Sequence, residues 1–202
     1  RRDERGVTLC SRHGEEHFEQ LVLACHSDQA LALLGDASDA ERALLSQLRY
    51  QPNRAVLHTD ASFLPARRQA WAAWNYRMGE GGPSSQPVMV SYLLNQLQGL
   101  PFRSPVIVTL NPYREPQGKL AEFDYAHPLF DRAAIAAQQS LATIQGRQRT
   151  WFAGAWAGYG FHEDGLKAGM AVAQALGATI PWDISVPLAA HPRLPQPAVV
   201  AP

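Results

Sequence analysis

The chain has 202 residues, 46% hydrophobic and 18% charged, with 18 basic and 18 acidic side chains and a formal net charge of zero. Apolar content this high at zero net charge excludes a largely disordered chain, and the length suffices for one large domain or two small ones. A nucleic-acid reader is disfavoured, because counterion release needs a basic face. The charged fraction lies below the usual ~25%, which fits a protein that covers part of itself with a cofactor or another segment.

The first residue is Arg1, and residues 1–8 read like the interior of a longer sequence, so a fragment is expected. No window approaches the ~18 apolar residues of a membrane span, and the charged start does not read as a signal peptide. The only cysteines are Cys10 and Cys25. A hairpin centred on residues 13–16 puts Cys10 opposite about position 19, with Cys25 beyond disulfide reach. Two free thiols point to a reducing cytoplasm.

In chain order, residues 7–11 and 17–25 read as strands around a turn with His13 and Gly14. Residues 21–25 are continuously apolar, as in a strand covered on both faces within a parallel sheet. Ser27 or Asp28 caps a helix to Leu34, stopped by Gly35. Ser38 or Asp39 starts another, with Ala40, Leu44, Leu45 and Leu48 at helical spacing. Strands follow at 55–59, 70–78, 88–93 and 106–110, with a Gly/Pro loop at 79–83 and a helical turn at 93–100. Residues 129–145 have helical periodicity, 150–156 read as a strand and 163–176 as a helix. The Pro-rich stretch 183–202 reads as a draped or disordered tail. The fold class is thus α/β, in the sense of an α and β mixture.

The most informative stretch is 151–177, WFAGAWAGYGFHEDGLKAGMAVAQALG. A strand ends at Gly154, a turn carries Gly158 and Gly160, and a helix of small residues begins near His162 or Glu163. Such a unit aims free backbone N–H groups and a positive helix end at one spot, which suits an anion or a ring that gains negative charge on reduction. An ordinary tight strand–helix connection has the same pattern.

The stretch from Phe161 to Gly169 resembles the C-terminal flavin-binding motif of the flavin-containing amine oxidase superfamily, with Asp164 and Gly165 replacing the family's Gly and Ala. Further likeness, to a bacterial branch of predicted NAD/FAD-binding proteins, lies in FEQLVLACHSDQALALL, VLHTD, AWAAWNY, TLNP and GYGFHEDG. The resemblance implies an FAD-dependent oxidoreductase that passes hydride from substrate to flavin N5. It implies parts of an FAD-binding, Rossmann-like domain at 1–26 and 148–182 and a mixed-sheet substrate domain at 27–147. The His162 N–H would meet the pyrimidine end of the flavin. Gly154, Ala155, Gly160, Phe161, Glu163 and Gly165 would line the cofactor, and Ala24 and Cys25 would approach it. Trp156, also placed at the cofactor, stands where relatives often have an acidic residue.

No G-x-G-x-x-G occurs in the chain, although a flavoprotein of this class needs one for the pyrophosphate. An N-terminal half of the same protein is therefore the expected partner. His58 falls where many relatives carry a lysine near flavin N5; it reads as a catalytic group or as a hydrogen-bonded structural histidine. Trp71, Trp74 and Tyr76 read as substrate walls or as core aromatics, with Trp74 and Tyr76 on one strand face and Asn75 on the other. The substrate expected is a small molecule, an amine or an unsaturated, lipid-like compound, the latter compatible with peripheral membrane contact. No metal is expected, because His162, Glu163 and Asp164 cannot all face one ion from a helix start. The alternative to an enzyme is a non-catalytic binding or scaffold protein that kept the fold.

Overall fold

The computed structural model describes residues 1–77 and 88–182. The expected loop at 79–83, the end of the expected strand 70–78 and the tail 183–202 lie outside them. The chain divides into two compact units, one of Arg2–Cys25 with the segment from Gly146 on, the other of His26–Gln145.

Strands β1 (Arg2–Asp3), β2 (Gly6–Ser11) and β3 (Gly14–Phe18) form an antiparallel sheet in that order. The β2–β3 hairpin closes through Arg12 and His13 alone, with Ser11 opposite Gly14. This shorter turn puts Cys10 opposite Glu15, not near position 19, and both cysteines are free thiols. The strand expected over 17–25 is two strands. β3 ends at Phe18, and β4 (Leu21–Leu23) pairs in a different sheet. Covering on both faces is not seen within the described residues, since Val22 is 42% exposed.

In the second unit, α1 (Ser27–Leu33) and α2 (Asp39–Leu45) precede β5 (Tyr50–His58). The Tyr50 hydroxyl accepts from the Ser27 N–H at 2.9 Å, and His26 stacks on the Tyr50 ring at 4.4 Å, which fixes the entry of α1 on β5. Then come β6 (Trp74–Arg77), β7 (Met89–Leu93), the single turn α3 (Leu94–Leu97), β8 (Ile107–Leu110), β9 (Lys119–Pro128) and α4 (Arg132–Ser140). The expected strand 70–78 starts only at Trp74, because Arg68–Ala70 forms a 3-10 turn. Helix α4 is shorter than expected. Asp131 caps it, accepting from the Ala134 N–H at 2.9 Å, and Leu141–Thr143 tightens to 3-10 geometry.

The strands of this unit form one five-stranded sheet, β6-β7-β8-β5-β9, with every pairing antiparallel. Alternation gives it two unlike faces. Asn75, Ser91, Thr109, Val56, His58 and Ile107 lie on one face and are buried. On the other, Trp74, Tyr76, Phe123 and Tyr125 are exposed. Leu64, Leu93 and Ile107 form a hydrophobic cluster on the buried face, joined by Trp71. Strand β9 had no counterpart in the sequence reading. It is an edge strand with exposed residues on both sides and a register shift opposite Leu57 and His58, so its alternation is broken.

The chain then forms β10 (Thr150–Phe152) and ends its described part with α5 (His162–Ala175). β10 pairs in parallel with β4, Thr150 to Phe152 against Leu21 to Leu23. The strand stops at Phe152, four residues earlier than expected, because Ala155–Ala157 turns into a 3-10 segment.

Helix α2 is capped reciprocally. Glu41 accepts from the Ser38 N–H at 2.7 Å while the Ser38 hydroxyl accepts from the Glu41 N–H at 3.3 Å, and Glu41 is 1% exposed. Ser38→Ala is expected to lower the unfolding free energy by about 1 kcal/mol, measured by urea denaturation of variant and parent.

Candidate functional site: the β10–α5 turn

Parallel pairing of β4 and β10 brings the ends of two strands side by side. The pairing continues one step further, with the Ala153 N–H donating to the Leu23 carbonyl at 3.1 Å. Trp156 then folds back into the unit, 2% exposed, and its indole N–H donates to the Cys25 carbonyl at 2.9 Å. Gly154 makes room for this ring: a Cβ there would stand 2.5 Å from the indole nitrogen.

Beyond Trp156 the chain turns through Gly158, Tyr159 and Gly160 into α5. Gly160 has φ +88, a left-handed value that favours glycine. The Asp164 carboxylate reaches back into this turn and accepts the N–H groups of Tyr159 and Phe161, both at 3.0 Å. Gly158 permits this, since a Cβ there would lie 2.6 Å from the Asp164 carboxyl carbon. The N–H groups of Asp164 and Gly165 fall on the Phe161 carbonyl at 3.0 and 3.2 Å. Among the described residues, the N–H groups of His162 and Glu163 are the first-turn donors that the turn leaves over. They stand at the positive end of a 14-residue helix. Exposed Tyr159 and Phe161 flank them.

The residues that the sequence places at a cofactor fall in one unit. Ala24, Gly160, Phe161, His162 and Glu163 are exposed; Cys25, Gly154, Ala155 and Gly165 are half-buried; Trp156 is buried. Trp156 therefore meets the Cys25 carbonyl rather than solvent. Asp164, which builds the turn, went unrecognised in the sequence; an acidic residue at the third helical position is the available signal.

His58, Trp71, Trp74 and Tyr76 belong to the other unit. The three aromatics do not form one wall. Trp74 and Tyr76 lie on the open face of the sheet, with Trp74 edge-on to Tyr92 at 5.9 Å, whereas Trp71 packs on the opposite, buried face. His58 is fully buried. Its Nδ1 accepts the Asp60 N–H at 3.1 Å, so the ring carries its proton on Nε2 and donates to Thr109 Oγ1 at 2.8 Å. Thr109 and Ser91 share a further bond at 2.8 Å, and Asn75 donates to the Ser91 carbonyl at 3.3 Å. A polar row thus crosses four neighbouring strands on the buried face. With both nitrogens engaged, His58 has no lone pair free to take a proton from a substrate.

Asp60, two residues on, anchors the start of the 61–66 segment. Burial alone would raise its carboxyl pKa. The Ser62 hydroxyl, the N–H groups of Gln117 and Ser62 and the Arg114 guanidinium outweigh burial and hold it well below the usual carboxylate range.

No family model matches the sequence, and no curated protein matches it. Solved structures do. A conjugated linoleic acid-producing fatty acid isomerase from P. acnes superposes with a TM-score of 0.64 at 16% identity, over 88% of this chain and 46% of that one. A protoporphyrinogen oxidase assignment from Exiguobacterium sp. 255-15 gives 0.59 at 14% identity, over 87% of this chain and 45% of that one. Reduced UDP-galactopyranose mutase gives 0.54 at 12%, over 86% and 45%. The likeness shows a shared mixed helix-and-sheet fold, of which this chain spans slightly less than half the length. Among the described residues no helix is long and apolar enough to cross a membrane.

Burial lowers the His58 pKa below its ordinary 6.5, and the nearby Asp60 carboxylate only partly offsets this. The unfolded histidine therefore binds its proton first as pH falls. Stability from the neutral ring is complete above about 6.5 and is lost progressively below it. Between roughly pH 7 and 5, urea midpoints should fall more steeply for the parent than for His58→Gln. Parallel pH profiles would contradict this reading.

Proposed function

We propose that this chain supplies the substrate-side unit and the C-terminal flavin-binding element of an FAD-dependent oxidoreductase of the amine oxidase or desaturase kind. One observation carries the reading: the β10–α5 turn uses Asp164 to satisfy its own amides and leaves the His162 and Glu163 N–H groups at a positive helix end beside exposed aromatic surface. That donor set fits the pyrimidine edge of a flavin. Small side chains at Ala24 and Ala155, and the absence of one at Gly160 and Gly165, are compatible with such a ring. The shared fold with three enzymes supports the reading in general terms.

In this reading FAD, when bound, supplies an acceptor for a hydride from a substrate carbon. The chain's own part is to hold and orient. His162 and Glu163 N–H groups and the α5 dipole favour negative charge on the pyrimidine side. Phe161 and Tyr159 cover apolar ring surface. Trp74 and Tyr76 contribute an aromatic surface for a small-molecule substrate, an amine or an unsaturated, lipid-like compound. The pyrophosphate site falls to an N-terminal half of the same protein, which fits the 46% span of the first structure and the missing G-x-G-x-x-G.

The non-catalytic alternative has one observation in its favour, the engagement of both His58 nitrogens, which removes the expected base. Bleaching of the flavin absorbance by candidate amines or unsaturated acids separates the two readings. Gly160→Val should sharply reduce the flavin retained by the purified full-length protein, because a β-branched residue cannot hold φ +88 without strain. Its circular dichroism should stay near that of the parent. Parental flavin content in the folded variant, or a parent that takes up no FAD, would overturn the proposal.

A further inference from the structure

A groove of about 760 Å³ lies beside the edge strand β6, where Asn75, Tyr76 and Arg77 all line it. Its wall is the segment 61–66, and Leu64, Pro65 and Trp71 give it an apolar lining. The wall is held in place: the Trp71 indole N–H donates to the Pro65 carbonyl at 2.9 Å, and Asp60 caps the turn Ala61–Phe63.

The charge around this apolar lining is one-sided. Residues 60–77 contain three arginines, Arg67, Arg68 and Arg77, and one acid, Asp60. Asp60 is already spent, because its carboxylate holds the Arg114 guanidinium at 3.1 Å, the Gln117 N–H and the Ser62 hydroxyl. Arg77, in the groove lining, has no carboxylate partner among the described residues. Its guanidinium lies 4.9 Å from the centre of the Tyr113 ring and reaches the Tyr113 hydroxyl at 3.4 Å. Arg68 stands 5.3 Å over the Trp71 ring. An aromatic face steadies a guanidinium without neutralising it, so the N–H fork stays available to an anion. In a chain of zero net charge, this concentration of arginine without a carboxylate partner among the described residues is local.

We propose that this groove binds an amphipathic anion, a carboxylate or sulfonate on an apolar body. The head group meets Arg77, and the body lies along Leu64, Pro65 and Trp71. The groove has the size of ordinary small-molecule sites, which run from about 300 to 1,000 Å³. The proposal stands on the unit His26–Gln145 alone and does not depend on the flavin reading.

The probes are dodecanoate, 1-dodecanol and dodecyltrimethylammonium, which share a chain length and differ in head-group charge. Each is titrated below its micelle concentration into the full-length protein and followed by calorimetry, so no turnover is needed. Dodecanoate should bind at least about tenfold more tightly than the neutral or cationic probe. Arg77→Gln, at an exposed position, should weaken dodecanoate about tenfold or more, and Arg77→Lys should recover part of the loss. Comparable binding of all three probes, no binding of dodecanoate, or parental affinity in folded Arg77→Gln would each overturn the proposal. A protein without flavin that still selects dodecanoate through Arg77 would uphold it while defeating the flavin reading.

Discussion

The candidate site depends on one partly buried hydrogen bond, from the Trp156 indole to the Cys25 carbonyl. Two strands contribute only three residues each to the parallel β4–β10 pairing, too short a ladder to aim the following helix by itself. Burial of Trp156 adds a large apolar ring to that ladder. Its N–H satisfies a carbonyl just beyond the end of β4. The 3-10 segment is thereby pinned to the strand end, the glycine turn begins at a defined place, and α5 starts where Asp164 can close the turn. Gly154 and Gly158 serve the same end, each vacating the volume that a neighbouring side chain occupies. The donors of His162 and Glu163 are therefore a consequence of packing beneath them.

The other unit rests on a comparable constraint, written in polar groups. His58, Thr109, Ser91 and Asn75 lie on four adjacent strands and bond in sequence across the buried face. Such a row is costly unless every member is satisfied, and it disfavours a slipped register that would leave any member unpaired. It also joins the sheet to the 61–66 segment, because the Asp60 N–H ends on His58. The carboxylate of the same residue then holds Arg114, whose guanidinium packs 4.6 Å from the Phe63 ring. One short stretch, 58–63, thus links the sheet interior to the groove wall.

Much of this was legible in the sequence, where the signal was local. The start of α2 at Ser38 or Asp39, the alternation of Trp74 and Tyr76 against Asn75, and the strand–glycine–helix pattern of 151–177 each lie within a few residues. The fold class followed from them. What stayed hidden depends on pairing partners far along the chain. The burial of Trp156 needs Cys25, 131 residues away, and the engagement of His58 needs Thr109, 51 residues away. Strand β9 escaped because a register shift breaks its period and an edge position leaves its residues exposed. The late start of β6 at Trp74 came from a 3-10 turn at Arg68–Ala70 that no hydrophobic pattern announces.

The proposed site requires that the first-turn amides of α5 meet the flavin. In the ¹⁵N-labelled full-length protein, the amide resonances of His162 and Glu163 can be followed between the cofactor-free and FAD-loaded states. Both should move on loading by more than the amides at the opposite end of α5. Stoichiometric FAD with both resonances unmoved would contradict it.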